Sequence, residues 1–419
     1  MVLKNADRGG LENLPVTRRR ILALMGMGVV WAGCRGMAFA AAPTGNRFVF
    51  IIMRGAMDGL AAVPPLFDPH YASARGTMSM LGDREGGQCL PLDGHFVLHP
   101  ALANMHKMFQ ARECLIAHAV ASPYRERSHF DGQDILENGA AEVHGAHDGW
   151  LGRALVQLAA AKGLAVGQNI PLALRGGGEV VTSWSPGILS EPGDDLLGRL
   201  GDLYQDDPVL ARALARARET EAGAVQALDS EEGAPGDIMD IRAQKAAGKN
   251  FPGLTKIAGK LLAAADGPRI GVIEIGGWDT HAGQGTFKGR LANNLLQFDK
   301  GIAALRAALG PVWRQTVVVC ATEFGRTVAA NGTGGTDHGT GTAAFILGGA
   351  VAGGKIIADW PGLAANQLYE NRDLRPTRDL RAVLKGVLAE HMGIDHTALN
   401  GSIFPDSDDI RPVGGIVRA

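Results

Sequence analysis

The sequence predicts an α/β fold: a three-layer α/β/α sandwich around a mostly parallel sheet. Short, β-branched apolar runs recur without the polar alternation of a half-exposed strand, as strands buried on both faces require. Helical periodicities separate these runs, and strand–helix alternation implies a sheet covered on both sides. With 419 residues, 46% hydrophobic and 20% charged, the chain is long enough for a large core. The 41 basic and 43 acidic residues leave a formal net charge of -2. That balance gives no pull toward nucleic acid, and no charged block reads as a solvating tail. Fifty-nine glycines within so apolar a chain indicate many tight loops rather than disorder.

Taken in order, residues 1–42 read as an export signal. Arg18, Arg19 and Arg20 precede an apolar run from Ile21 to Ala32, and Ala38 and Ala40 form an A-x-A cleavage pattern. The paired arginines after Thr17 suggest the twin-arginine route, which makes the twin-arginine translocase the export partner and the periplasm or exterior the destination. "WAGC", ending at Cys34, loosely matches a lipoprotein box, with Trp31 a poor fit to it. The run is too short and too glycine-broken for a membrane span, so the mature form is expected to have none. The mature chain, 43–419, is read as one domain.

Strands are expected at Arg47–Met53, Glu113–Val120, Ile170–Arg175, Arg269–Ile275, Gln315–Ala321 and Ala343–Gly349, with a long helix over Gly289–Gly310. Residues 194–250, rich in Ala, Arg and Glu at helical spacing, read as a helical insertion. Cleavage after Ala40 would leave Cys89, Cys114 and Cys320. Cys320 lies in an apolar run and reads as core. The spacing neither pairs Cys89 with Cys114 nor forbids it.

Open α/β sheets place function beyond the carboxyl ends of their strands. Asp58 follows the first strand, Asp279 and His281 follow "RIGVIEI", and Glu323 and Arg326 follow "QTVVVCA". Asp337 and His338 lie just before "AAFILGG". A lone Asp there is usually a turn former or helix cap. Unrelated turn formers have no reason to fall so regularly on strand edges, so the joint pattern reads as a divalent-metal site. Oxygen and nitrogen donors without thiolate suit zinc, manganese, iron or calcium. Ser128 precedes the helical stretch "HFDGQDILE". A serine there is most often an N-cap. The same position lets a hydroxyl face the positive end of the helix dipole, where an oxyanion is stabilised. Arg125 and Arg127 flank it as candidate anion holders.

These motifs, "IIMRGAMDGL", "RSHFDGQDILE", "GGWDTH", "TEFGRT" and "GTDHGTGTAAFILGG", resemble the secreted bacterial family known as domain of unknown function 1501. The resemblance covers nearly the whole mature chain. That family in turn resembles the alkaline phosphatase and sulfatase superfamily. It implies a three-layer fold with two metals at the strand ends and Ser128 as nucleophile; Arg127 and Arg326, read from their own positions, are the arginines expected beside the transferring group. It also implies Asp58, Asp279, His281, Glu323 and His338 as metal ligands, and Asp337, beside His338 in the same loop, is read as a further ligand. Two departures stand out. Asp279 and His281 are two residues apart where the superfamily commonly has four. Glu323 and Phe324 occupy the place of an Asp–His pair, so a nitrogen ligand is missing and a one-metal site becomes an option.

The resulting expectation is an exported, metal-dependent hydrolase acting on small-molecule or polymeric phosphate or sulfate esters. The alternative is a non-catalytic, exported metal-binding or assembly protein on a degenerate hydrolase fold. A dinucleotide enzyme fits poorly, because "RGAMDG" and not G-x-G-x-x-G follows the first strand.

Overall fold

The computed structural model describes residues 45–81, 88–158, 161–167, 169–177, 181–184, 199–201, 203–205, 207–215 and 251–418. The strands are β1 (Arg47–Met53), the small antiparallel pair β2 (Leu90–Pro91) and β3 (Val97–Leu98), β4 (Cys114–Ala121), β5 (Gly163–Val166), β6 (Val181–Trp184), β7 (Ile270–Ile275), β8 (Thr316–Ala321), β9 (Thr342–Leu347), β10 (Lys355–Ile357) and β11 (Arg378–Asp379). All but β2 and β3 join one nine-stranded sheet in the order β10-β4-β9-β8-β1-β7-β5-β6, with β11 also pairing β4.

β1 explains the layering. All its residues are buried, because its alternate side chains feed opposite cores. Val49, Ile51 and Met53 pack with helices α1 (Ala103–Gln110), α4 (Phe251–Ala263) and α5 (Arg290–Leu309). Phe48, Phe50 and Ile52 pack with α3 (Trp150–Gln157) and α6 (Leu380–Met392). Trp150 meets Phe48 and Phe50 edge-on at 6.0 and 5.1 Å. Each such side chain contributes about 1.5–3 kcal/mol by leaving water. Burial on both faces is why the run lacks alternation, and the three-layer α/β sandwich is the fold observed.

The sheet is mixed at one place. β9 runs antiparallel to both β4 and β8, while the other pairings are parallel. Its first residue, Thr342, therefore lies at the edge where β1, β4, β7 and β8 end. This is why Asp337 and His338, which precede a strand, join groups that follow strands.

Ile170–Arg175 is not a strand. Pro171 has no N–H for a ladder, and Leu172–Leu174 turn into a 3₁₀ helix in which Leu174 N–H bonds Pro171 O at 3.1 Å. The segment read as an export signal, 1–42, lies outside the described residues, as does most of 194–250, within which 199–201, 203–204 and 208–215 are helical. Among the described residues, no helix is long and apolar enough to cross a membrane. Cys320 is buried as expected, and Cys89 and Cys114 are free thiols.

Candidate metal centre

Histidines from separate loops converge on one carboxylate oxygen. Asp279 and His281 follow β7. His338 precedes β9. His129 opens helix α2 (His129–Asn138), at the end of the loop from β4. The Nε2 atoms of His281, His338 and His129 lie 3.0, 3.3 and 3.5 Å from Asp279 Oδ1. One potential ligand atom each from His129, Asp279 and His338 falls within 4.8 Å of the others. His281 Nε2 is 2.9 Å from His338 Nε2.

The other nitrogen of each ring faces an acceptor. His129 Nδ1 lies 2.8 Å from Glu323 Oε1, His281 Nδ1 3.0 Å from Asp337 Oδ1, and His338 Nδ1 2.8 Å from the Arg127 carbonyl. Acceptors there place the proton on Nδ1 and leave the Nε2 lone pair free. Lone pairs aimed at one carboxylate oxygen repel unless a cation lies among them. Arg326 meets part of that demand, donating to Asp279 Oδ1 at 2.8 Å. His129 Nε2 is nevertheless buried without a hydrogen-bond partner. A divalent cation fits this donor set.

The backbone is bent to make this possible. Arg127 adopts a left-handed φ of 65°, a strain of about 1–2 kcal/mol for a residue with a Cβ. That bend turns its carbonyl to His338. Phe324, the residue found where a nitrogen ligand was expected, stacks on His129 at 5.1 Å between ring centroids. Gly55 has φ 116°, and its ideal Cβ would lie 2.6 Å from the Asp279 backbone nitrogen. Gly335 passes so close to His281 that a Cβ would sit 2.2 Å from its carbonyl oxygen. Gly335→Ala is therefore expected to cost about 1–3 kcal/mol by overpacking and to displace His281. Denaturant titration and metal content would both register it.

Electrostatics agree with this geometry. The Glu323 carboxylate on Nδ1 raises the His129 pKa, against the opposing effect of burial. Burial works against the Glu323 and Asp279 charges, yet both are held below the ordinary value. For Glu323 the bond from His129 is chiefly responsible, and for Asp279 it is the Arg326 guanidinium. Asn331 and His281 hold Asp337 low, and burial lowers His338.

Of the residues singled out from sequence, Asp279, His281 and His338 meet at the convergence point. Glu323 and Asp337 stand behind His129 and His281. Glu323 is fully buried and takes up Gly55 N–H, the Gln133 amide and the Thr322 hydroxyl as well. Asp58 lies elsewhere, buried against Arg75 and Gln284 at 2.6 Å each. The guanidinium of Arg127 is spent on Glu370 and Asp373, and that of Arg326 on Asp279 and Thr336. Arg125 turns back on the Ser122 and Tyr124 carbonyls. Ser128 is the N-cap residue of α2, but its side chain makes no capping bond, so the commonest role of such a serine is not filled. Sequence reasoning missed His129. Its signal was the one used for the others: a ligand-type residue at the carboxyl edge of a core strand.

Residues 112–403 match the family described as "Protein of unknown function (DUF1501)". No curated protein matches the chain. Among solved structures, the C-terminal periplasmic domain of EcEptC from Escherichia coli, in complex with Zn, aligns over 73% of this chain and 74% of its own, with 10% identity and TM-score 0.35. Phosphonoacetate hydrolase from Sinorhizobium meliloti 1021, in complex with phosphonoformate, aligns over 68% and 58%, with 13% identity and TM-score 0.29. Ps i-CgsB in complex with k-i-k-neocarrahexaose aligns over 88% and 77%, with 11% identity and TM-score 0.35.

Proposed function

The chain belongs to the family of unknown function DUF1501, and from that premise we propose that it is an exported hydrolase of phosphate or sulfate esters using one divalent ion. The observation that carries this reading is the set of imidazoles, each held at Nδ1 by an acceptor and aimed by Nε2 at Asp279 Oδ1. His129, His281, His338 and Asp279 are the ligands, and Glu323, Asp337 and the Arg127 carbonyl orient them. Three nitrogens and one oxygen suit zinc or iron and disfavour calcium, which takes oxygen donors. One ion is proposed because the other candidate carboxylates are already engaged, Asp58 in an ion pair with Arg75 and Glu323 in hydrogen bonds from His129 and its other donors.

Such an ion would polarise an ester oxygen and favour an ionised hydroxyl beside it. Ser128 is the neighbour of His129, and its position at the start of α2 favours the alkoxide. In-line attack by its oxygen would form the seryl ester. The serine proton and the departing alkoxide balance as released alcohol, and water then restores the serine.

One observation favours a second reading, a non-catalytic metal-binding protein. Both candidate anion clamps, Arg127 and Arg326, are spent on carboxylates.

Elemental analysis of the purified protein should find about one ion per chain. His338→Ala should weaken binding by more than the roughly 10–100-fold typical of outer-shell residues. Ser128→Ala should keep the ion and lose turnover of aryl phosphate or sulfate esters. No metal in the parent would sink the reading. A metal-loaded parent no more active than Ser128→Ala would leave the binding-protein reading standing.

A further inference from the structure

A buried hydrogen-bond chain links Asp58 to the candidate metal centre, and its direction is fixed at the Asp58 end. We infer that Asp58 is a positioning residue for the ion: it sets the donor–acceptor polarity of a relay that ends on Asp279. The inference rests on the one-ion reading above.

Asp58 Oδ2 accepts from Gln284 Nε2 at 2.6 Å. A carboxylate only accepts, so the amide nitrogen must face it and the amide oxygen must face the other way. Gln284 Oε1 accordingly accepts from the hydroxyls of Thr280 at 2.8 Å and Thr336 at 2.7 Å. The single hydroxyl proton of Thr336 is thereby spent, and its oxygen is left to accept from Arg326 Nε at 3.2 Å. Arg326 also donates to the Thr336 carbonyl at 2.6 Å and, through its remaining arm, to Asp279 Oδ1 at 2.8 Å. Asp58, Gln284, Thr280, Thr336 and Arg326 are all at most 1% exposed. No solvent can repair a broken link, and a reversed link stays reversed.

Asp58→Asn tests the direction in the Arg75→Met background, because the Arg75 guanidinium donates to the same Oδ2 at 2.6 Å and would otherwise hold the asparagine oxygen there. The new asparagine can offer its amide N–H to Gln284, which then turns its oxygen toward that amide and its nitrogen toward the threonines. Thr336 must accept from that nitrogen, and its proton then meets Arg326 Nε–H, donor against donor. Asp279 loses the guanidinium that orients it. Thr336→Val breaks the same link without touching the Asp58–Arg75 pair, and it serves if Asp58→Asn does not fold. Asp58→Asn combined with Gln284→Glu restores the polarity. The asparagine then donates, the introduced glutamate accepts from it and from both threonines, and the net charge of the cluster is unchanged.

Zn²⁺ affinity would be measured by chelator competition on the folded parent and variants. Protection of Arg326 Nε–H against exchange would be read by NMR on metal-free protein. Asp58→Asn in the Arg75→Met background and Thr336→Val in the parent should each weaken Zn²⁺ binding about 10- to 100-fold and expose Nε–H to exchange. The Asp58→Asn/Gln284→Glu double variant, in the Arg75→Met background, should recover both. Single variants with parental affinity and a protected Nε–H would overturn the inference, as would a double variant no better than Asp58→Asn. A parent that binds no Zn²⁺ would defeat the one-ion reading separately. Exchange at Arg326 would then still decide the relay, faster in the variants if it exists and unchanged if it does not.

Discussion

Arg75→Met is expected to lower the unfolding free energy by about 3–5 kcal/mol, measured by denaturant titration at neutral pH. Arg75 and Asp58 are 0% and 1% exposed, and their charged groups lie 2.6 Å apart. Methionine fills most of the vacated volume, so the cost is electrostatic rather than a cavity. Asp58 keeps the Gln284 amide and the Ala61 N–H, but its charge stays buried beside no bonded cation. The Thr327 and Val328 carbonyls, 3.4 and 3.2 Å from the guanidinium, lose a donor as well. Adding Asp58→Asn removes the stranded charge and should recover a substantial part of the loss, since replacing both partners of a buried pair costs far less than removing one. A single-variant loss under about 1 kcal/mol would show that the pair carries no such weight.

This pair also separates stability from ligand positioning. The Arg75→Met/Asp58→Asn double variant should regain stability while its metal affinity stays low, because an asparagine at that position still permits the reversed relay. A residue that only held the fold together would bring both back at once.

What could be read in the sequence follows from periodicity and from its limits. β1, β4, β7, β8 and β9 are central strands, so their apolar runs are unbroken and were recognised nearly to their ends. β5, β6, β10 and β11 are two to four residues long and carry too little pattern. Ile170–Arg175 had the composition of a strand, but its proline forbids the ladder. At the site, spacing placed Asp279, His281, Asp337 and His338 on the right edge. It did not say which side chains face the centre. Asp58 turns to Arg75 and Gln284, and Glu323 to His129, partners up to 226 residues away in the chain. A helix start explains Ser128 but says nothing of the direction of the next side chain, His129.

Acidification should destabilise the protein well before its carboxylates titrate. His118 is fully buried. Its Nε2 donates to the Val63 carbonyl at 3.0 Å, and its Nδ1 accepts from Ala119 N–H at 2.8 Å. A second proton would face that N–H, donor against donor, and burial holds the pKa down to about 4. His391, bonded to the Arg47 carbonyl at 2.9 Å, is likewise lowered to about 4 by burial. The unfolded chain protonates both near 6.5. Both rings are neutral in the native state, so the unfolded state binds more protons between those values and stability falls as pH falls. The contribution is complete above about pH 6.5 and gone below about 4, and it amounts to about 3 kcal/mol for each ring. His99, also lowered by burial, adds in the same direction. His129 opposes it, because its raised pKa favours the native state on acidification until the proton is displaced by metal. Denaturant titrations from pH 7.5 to 4.5 should show a steep decline, shallower in His118→Asn, whose side chain takes no proton in that range. A parent curve flat across the window would mean that His118 and His391 are not buried as neutral rings.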